Sequence, residues 1–511
     1  MVWLAESWQR YSETIIGLGL AVIVGILAGL GTVLFKWLLS TLHSLFFENG
    51  GQVLSFLGQY YVILLPAAGG LLVGPLIYFL AREAKGIGVP DVLEAVALKG
   101  GRIRSRVAVV KLLATTLCIG SGGSGGSVGP IVQIGASIGS AIGQRLKLPD
   151  EQVITLLACG AAGGISAIFN APIGGAIFAL EVILGRVVTP RFAHILVSSV
   201  VADYLAHLLI GRERVFSIPE FGIVSPWEIG FYVVLGILAA FAALAFIYLL
   251  YRCQELFSTA KLPDYLKPAL GGLAVGLLGL YSGDLFGVGF ESVEKALWGQ
   301  MALGTLLVLG VLKILATSVT IGSGGSGGIF APCLFIGAML GGAMGNIVHG
   351  LFPTFTGPAG AYGLVGMAAV FAAAARAPFS AMLILFEMTG DYDIVLPLIT
   401  AVVVSTLVAR ALKQETIFTE ELARRGIYLR GRSAGAVAAT MPREAKADGL
   451  PPVSTATPIK DLLELLHKTG QDRFPVQDKA GSQIGVVTLT DTGQATQRDK
   501  TGKTDSDTSA K

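Results

Sequence analysis

The chain has 511 residues, 53% hydrophobic and 14% charged, with 37 Lys and Arg against 34 Asp and Glu for a formal net charge of +3. This is too apolar for a soluble protein of its length, and the small, scattered basic excess excludes a nucleic-acid partner. The composition predicts an integral membrane protein whose 68 glycines let helices approach closely.

Taken in order, residues 1–14 form a short polar leader without a small-residue cleavage site, so no removable signal peptide is expected. Apolar runs at 15–34, 61–80, 231–250 and 394–412 are each long enough to cross a hydrocarbon core of ~30 Å at 1.5 Å per residue. A polar hinge is expected near Glu48 to Gln52. In KGIGVPDVLEAVALKGG (85–101), a glycine turn leads to Pro90 and Asp91, both suited to the first turn of a short helix. An apolar segment containing Lys111 then runs into a glycine stretch, and the following PIVQIGASIGSAIG reads as a helix with small residues on recurring faces. Residues 152–184 read as two helices broken at Asn170 to Pro172, and 195–210 as a further span. The polar stretch 211–226 divides the membrane region into two halves; spans at 227–251 and 270–281 follow it, and a second glycine stretch comes later. Residues 415–426 suggest a short helix. Beyond them the chain is charged and soluble in style, with a helix pattern PIKDLLELLHKTG, two strand-like runs RFPVQD and QIGVVTLTD, and a disordered tail from 496. Cys118, Cys159, Cys253 and Cys333 stand singly in apolar sequence, as small buried hydrophobes rather than disulfide or metal partners, and no metal is expected.

The halves are copies. IGSGGSGGSVGP (119–130) returns as IGSGGSGGIFAP (321–332), 202 residues later, and the match spreads outward. VKLLATTLC pairs with LKILATSVT, placing Lys111 opposite Lys313; GASIGSAIGQ pairs with GAMLGGAMGN; Ala171, Pro172 and Glu181 pair with Ala377, Pro378 and Glu387.

A Gly/Ser run opening a helix exposes backbone N–H groups at a positive helix end, which makes an anion site. Two such runs in a duplicated membrane protein fit the transporter plan in which broken helices aim at a central ligand. The plainer reading, close helix packing, accounts for single small-xxx-small faces but not for long runs ending in Pro. GGSGG also satisfies a GxSxG nucleophile pattern at Ser124 and Ser326, yet nothing ties His194, His207 or His349 to either serine. A P-loop is excluded, because no Lys-Ser or Lys-Thr follows the glycines. As paired carboxylates, Glu181 and Glu387 are expected to cap or bridge helices on the cytoplasmic side.

These residues resemble the CLC family of chloride channels and chloride/proton antiporters over residues 15–428. GIGVP (86–90) looks like the family's GSGIP, GSVGPIVQIG (126–135) resembles GREGPTVQIG, GGIFAP (327–332) matches GxFxP, and FNAP (169–172) and Glu387 also fit. The resemblance implies an all-α membrane fold, a CLC-type inverted repeat of tilted and broken helices (15–211 and 212–428). It further implies a homodimer in the lipid bilayer of the plasma or inner membrane, cytoplasmic termini, and one chloride pathway per subunit. That pathway would run past Ile87, Gly88, Gly126, Ser127, Val128, Gly129, Ile329, Phe330, Ala331 and Phe418.

The departures carry the mechanism. Val128 stands where the family's gating glutamate plugs the outer anion site and shuttles protons, and Val182 where the antiporters keep an inner proton-accepting glutamate. Ile87 and Phe418 replace a serine and a tyrosine that would donate hydrogen bonds to the anion, so coordination would fall to backbone N–H groups near Gly88, Ile329, Phe330 and Phe418. The expected function is passive conduction of chloride or another small anion. The alternatives are a chloride/proton antiporter with an unusual proton route and, remotely, an intramembrane serine hydrolase; otherwise no enzyme is expected. Lys111 resembles a family lysine beneath the pore that concentrates anions, although a snorkelling lysine would look the same in sequence. Residues 429–495 resemble a single α/β CBS-like cytoplasmic segment, in which Thr488 and Asp491 match ribose contacts; adenine nucleotide is the one ligand suggested there, and no resident cofactor is expected.

Overall fold

The computed structural model describes residues 2–186, 189–211, 216, 219, 221–430, 438–440, 453–454, 473–477 and 483–488. The first half contains α1 (Val2–Ser44), α2 (Gly50–Val53), α3 (Tyr61–Leu80), α4 (Val89–Leu98), α5 (Arg106–Gly120), α6 (Val128–Arg145), α7 (Asp150–Phe169), α8 (Pro172–Phe178) and α9 (Phe192–Ile210). The second contains α10 (Glu228–Thr259), α11 (Lys267–Gly279), α12 (Phe290–Leu297), α13 (Leu303–Gly322), α14 (Phe330–Leu351), α15 (Ala359–Ala375), α16 (Pro378–Thr389), α17 (Val395–Leu412) and α18 (Thr419–Arg424). Eight helical spans among the described residues are long and apolar enough to cross a membrane. Others, such as α11 and the 12-residue stretch Pro172–Ile183, are apolar but too short to cross unaided.

The expected hinge at 48–52 is instead helical. Leu45–Asn49 forms a π-turn continuous with α2, and Ser44 Oγ donates to Glu48 at 3.2 Å. The break falls later, at Gly58, whose φ of 58° is open to glycine and strained for most other residues. The break expected at Asn170 is present: Asn170 ends α7 in the left-handed conformation, Ala171 is non-helical, and Pro172 opens α8.

The core lies between α6 and α7 in one half and α14 and α15 in the other. Gly135 and Gly160 face one another so closely that a Cβ on Gly135 would lie 2.1 Å from Gly160 O. Their counterparts repeat the contact: a Cβ on Gly337 would lie 2.2 Å from Gly366 O. Side-chain-free faces let the two backbones touch, which is how helices associate where lipid supplies no hydrophobic drive.

Two carboxylates report the symmetry of the halves. Glu181, in the π-turn Ala179–Ile183 that continues α8, accepts from the amides of Phe379 (3.3 Å) and Ser380 (2.7 Å) and from Ser380 Oγ (2.6 Å), in the first turn of α16. Glu387, near the end of α16, accepts from Ile173 N (3.0 Å) and Gly174 N (2.6 Å), in the first turn of α8. Each helix is therefore capped by the far end of its equivalent, and the two run antiparallel. Antiparallel equivalents are the arrangement that an inverted repeat requires. The expectation that both carboxylates share one side is corrected: they cap opposite ends of the pair, because the sequence cannot show that the copies are inverted. Replacing Glu181 with Gln leaves an acceptor but removes its charge from the helix start, so a loss of about 1–2 kcal/mol is expected. Thermal unfolding of the purified protein in detergent checks this, and an unchanged midpoint would refute the cap.

The chain divides into two compact units, Met1–Glu421 and Leu422–Lys511. In the second, β1 (Tyr428–Arg430) pairs antiparallel with β2 (Ala438–Thr440), and β3 (Val453–Ser454) runs parallel to β4 (Arg473–Gln477), which pairs antiparallel with β5 (Gln483–Thr488). Strands β4 and β5 fall on the two strand-like runs. The PIKDLLELLHKTG helix, the tail and Asp491 lie outside the described residues.

Candidate functional site at the glycine crossing

The site is built where the two glycine stretches meet. Each incoming helix closes in the same way. Gly123 N reaches back to Cys118 O at 2.8 Å and Gly325 N to Thr320 O at 3.0 Å, with Gly122 and Gly324 at φ of 107° and 104°, where a side chain would be strained. The stretches then cross. Gly126 N donates to Gly328 O at 2.7 Å and Gly328 N to Gly126 O at 2.6 Å. Gly126 and Gly328 are equivalent residues of the two copies, so the two-fold axis passes between them. A Cβ on Gly328 would lie 2.7 Å from Gly129 N, so the crossing accepts no side chain there.

The serines of the stretches hold it from the outside. Ser124 Oγ pairs with Thr317 Oγ1 at 3.0 Å and Ser326 Oγ with Thr115 Oγ1 at 2.8 Å, each across the repeats. Among the described residues no histidine is bonded to either hydroxyl: His349 Nδ1 lies against Thr356, His207 Nδ1 is 3.1 Å from Asp203, and the His194 ring lies against Gly17 of α1.

A third loop enters from the side. Gly86 N donates to Gly325 O (3.0 Å), and Gly86 O accepts from Gly327 N (3.3 Å). Gly88, at φ 93°, then turns the chain into α4, and a Cβ on it would lie 2.9 Å from both Gly129 O and Gln133 Oε1. The sequence reading missed this loop's twin, Gly287 to Gly289. Gly287 O accepts from Gly125 N at 3.3 Å, and the GVG spelling, set beside the GIG of 86–88, was the available signal.

The starts of α4, α6 and α14 therefore converge on one buried region. The first N–H groups of a helix have no partner within it and carry its positive end, so the three starts together favour a small anion held by backbone. Of the expected pathway residues, Ile87, Gly88, Gly126, Gly129 and Ala331 come together: a Cβ on Gly129 would lie 2.3 Å from Ile87 O, and one on Gly126 3.1 Å from Ala331 N. Ser127 and Ile329 occupy the N-cap positions of α6 and α14 without a side-chain bond to either helix, and Val128, the first residue of α6, and Ile329 are each 1% exposed. The Phe330 ring packs on Phe371 (centroids 4.1 Å) and Phe169 (4.9 Å), so an apolar wall faces the amides.

Phe418 is buried next to Ile417, whose N donates to Ala374 O of α15 at 2.9 Å, one turn from Phe371. Phe418 N and Thr419 N both donate to Thr416 Oγ1 (3.2 and 3.1 Å), and Thr416 N donates to Thr419 Oγ1 at 2.8 Å. A reciprocal threonine cap thus engages the Phe418 amide at the start of α18. Val182 stands apart from the crossing, buried in the π-turn beside Glu181.

Lys111 does not snorkel. It is fully buried, and its ammonium donates to Ala84 O (3.1 Å) and Gly86 O (2.7 Å), directly before Ile87. Lys313 repeats this on Leu285 O (3.1 Å) and Gly287 O (3.0 Å).

The profile of a family described as "Voltage gated chloride channel" matches residues 69–410, well over half of the chain. The chain belongs to the voltage-gated chloride channel (CLC) family. It is 36% identical over 366 residues to a "Putative chloride channel protein ClcB-like" of Ralstonia nicotianae, covering 71% of this chain and 85% of that one. It is 33% identical over 423 residues to an "H(+)/Cl(-) exchange transporter ClcA" of Vibrio cholerae, covering 79% and 88%. Among solved structures it is similar to a slow cyanobacterial Cl-/H+ antiporter, with a TM-score of 0.73 and 29% identity, over 80% of this chain and 97% of that one. As a CLC protein with eight long apolar spans among its described residues, it is an integral, multi-pass membrane protein of predominantly helical fold. CLC relatives bear the names of both channels and exchangers.

Proposed function

We propose that this CLC protein conducts chloride or another small monovalent anion passively, without coupling to protons. The observation that carries the reading is Val128, a buried apolar side chain at the first position of α6, where the anion-facing amides begin. Valine carries no proton and cannot compete with an anion for those amides. Val182, buried and equally aprotic, supports the same reading at the inner position. The apolar residues Ile87, Val128, Phe330 and Phe418 would gate by wetting rather than by charge.

The second reading, chloride/proton exchange by an unusual proton route, is favoured by the exchanger names of the Vibrio cholerae and cyanobacterial proteins. Proteoliposomes with an imposed chloride gradient separate the two. Passive conduction predicts a membrane potential at the chloride equilibrium value and no uphill proton movement; protons driven uphill by chloride would overturn it.

The homodimer, the cytoplasmic termini and the plasma- or inner-membrane location are proposed on the resemblance alone. So is the CBS-like segment, with Thr488 at the end of β5 as a candidate adenine-nucleotide contact; the β3-β4-β5 sheet fits its α/β character.

A further inference from the structure

The two copies differ at one strained residue. Asn170 and Arg376 are equivalent, and each ends its helix in the left-handed conformation, with φ/ψ of 56°/42° and 54°/42°. Asparagine takes that conformation readily, whereas an arginine there holds its backbone in a sparsely populated region. We propose that Arg376 is a positioning residue for the anion pathway, which fixes the segment 413–418, and with it Phe418, against the wall of the site. This rests on the anion-conduction reading and adds to it a residue that acts without touching the anion.

The side chain accounts for the exception. Arg376 is half-buried, and its guanidinium donates through Nη1 to Gln414 O (2.9 Å) and through Nη2 to Ala409 O (3.0 Å), Lys413 O (2.5 Å) and Glu415 O (3.4 Å). Four carbonyls, from the last turn of α17 and the link beyond it, thereby meet one planar fork of donors at a helix end whose dipole favours a cation. An asparagine at this position would be too short to gather them.

The fork holds the segment that leads to Phe418. The next residue is gripped from the same helix end: Ile417 N donates to Ala374 O at 2.9 Å, while Ile417 O accepts from Tyr251 Oη of α10 at 2.5 Å. The reciprocal cap of Thr416 and Thr419 then turns the chain into α18, with Phe418 3% exposed. Ala374 and Arg376 lie at the end of α15, whose Phe371 packs on the Phe330 ring with centroids 4.1 Å apart. One helix therefore carries a wall of the site and, through Arg376, the loop of Phe418. Loosening the fork frees that loop to drift, and a wider constriction admits bulkier anions.

The test is the ratio of perchlorate flux to chloride flux, perchlorate being the bulkier monovalent anion, in proteoliposomes of wild type, Arg376→Asn, Arg376→Lys, Phe418→Ala and the double variant Arg376→Asn/Phe418→Ala. Arg376→Asn installs the residue of the first copy, which removes the strain together with the fork, and is expected to raise the ratio about threefold; Arg376→Lys keeps the charge without the fork and should fall between. In the Phe418→Ala background Arg376→Asn is expected to add nothing further, because both act through one ring. An arginine that only stabilises the fold would lower both fluxes by the same factor and leave the ratio unchanged. That result overturns the proposal, as does a change in ratio that persists undiminished without the Phe418 ring. If Arg376→Asn fails to fold, Tyr251→Phe, which removes the other grip on Ile417, is expected to raise the ratio, and an unchanged ratio there overturns the proposal independently. Observed proton coupling rejects passive conduction while the ratio still tests Arg376. A wild type that passes no anion rejects both.

Discussion

Replacing Val128 with Glu is expected to lower chloride flux about tenfold at neutral pH, matching the ~1–2 kcal/mol that a carboxylate gains at a partly buried helix start. The variant carboxylate would stand at the first position of α6 and accept the amides that otherwise face the anion. Protonation removes the competitor, so flux should recover as pH falls through the carboxylate range, whereas wild-type flux has no such acid-dependent rise from this position. Flux measured across a pH series in the same liposomes checks both limbs. Unchanged flux at neutral pH would mean that Val128 does not line the pathway.

Gly129→Ala should be more damaging than its one methyl suggests. The new Cβ would lie 2.3 Å from Ile87 O and 3.2 Å from Gly328 Cα, both backbone atoms that cannot rotate away. Either the 86–88 loop or the start of α6 must move, at a cost of about 1–3 kcal/mol. Because those elements supply the converging amides, flux should fall further than the unfolding midpoint alone would explain. Gly230→Ala is the control: no atom lies within 4 Å of its Cβ, and Ala is the better helix former by up to ~1 kcal/mol, so its midpoint and flux should hold or rise. Equal losses in the two variants would show that the crossing tolerates side chains.

Much of this architecture is legible in the letters. The run 61–80 coincides with α3, because twenty apolar residues can do little else in lipid, and Asn170 before Ala-Pro breaks the helix where expected. Duplication was readable because both copies kept their glycines. What escaped is long-range pairing. Nothing in the sequence of Glu181 or Glu387 says which helix each caps, since that depends on the inversion of one copy against the other. The Gly287–Gly289 loop went unseen because its flanks diverged after duplication: Lys85 and Pro90 face Phe286 and Glu291 in register. The Thr416 cap was hidden for a different reason, as a threonine at a loop end is compatible with many partners.

The Gly126–Gly328 pair has a further consequence for how anything moves through this protein. Many inverted-repeat transporters work by rocking one half against the other about a fixed site, exposing it to each side in turn. Here the halves are buttoned together at the site itself, by two backbone bonds on the axis, and again by two carboxylates exchanged between α8 and α16. Rocking would undo the button that shapes the site. Transport in this fold must therefore work against a stationary frame, through displacements no larger than a side chain or a single loop.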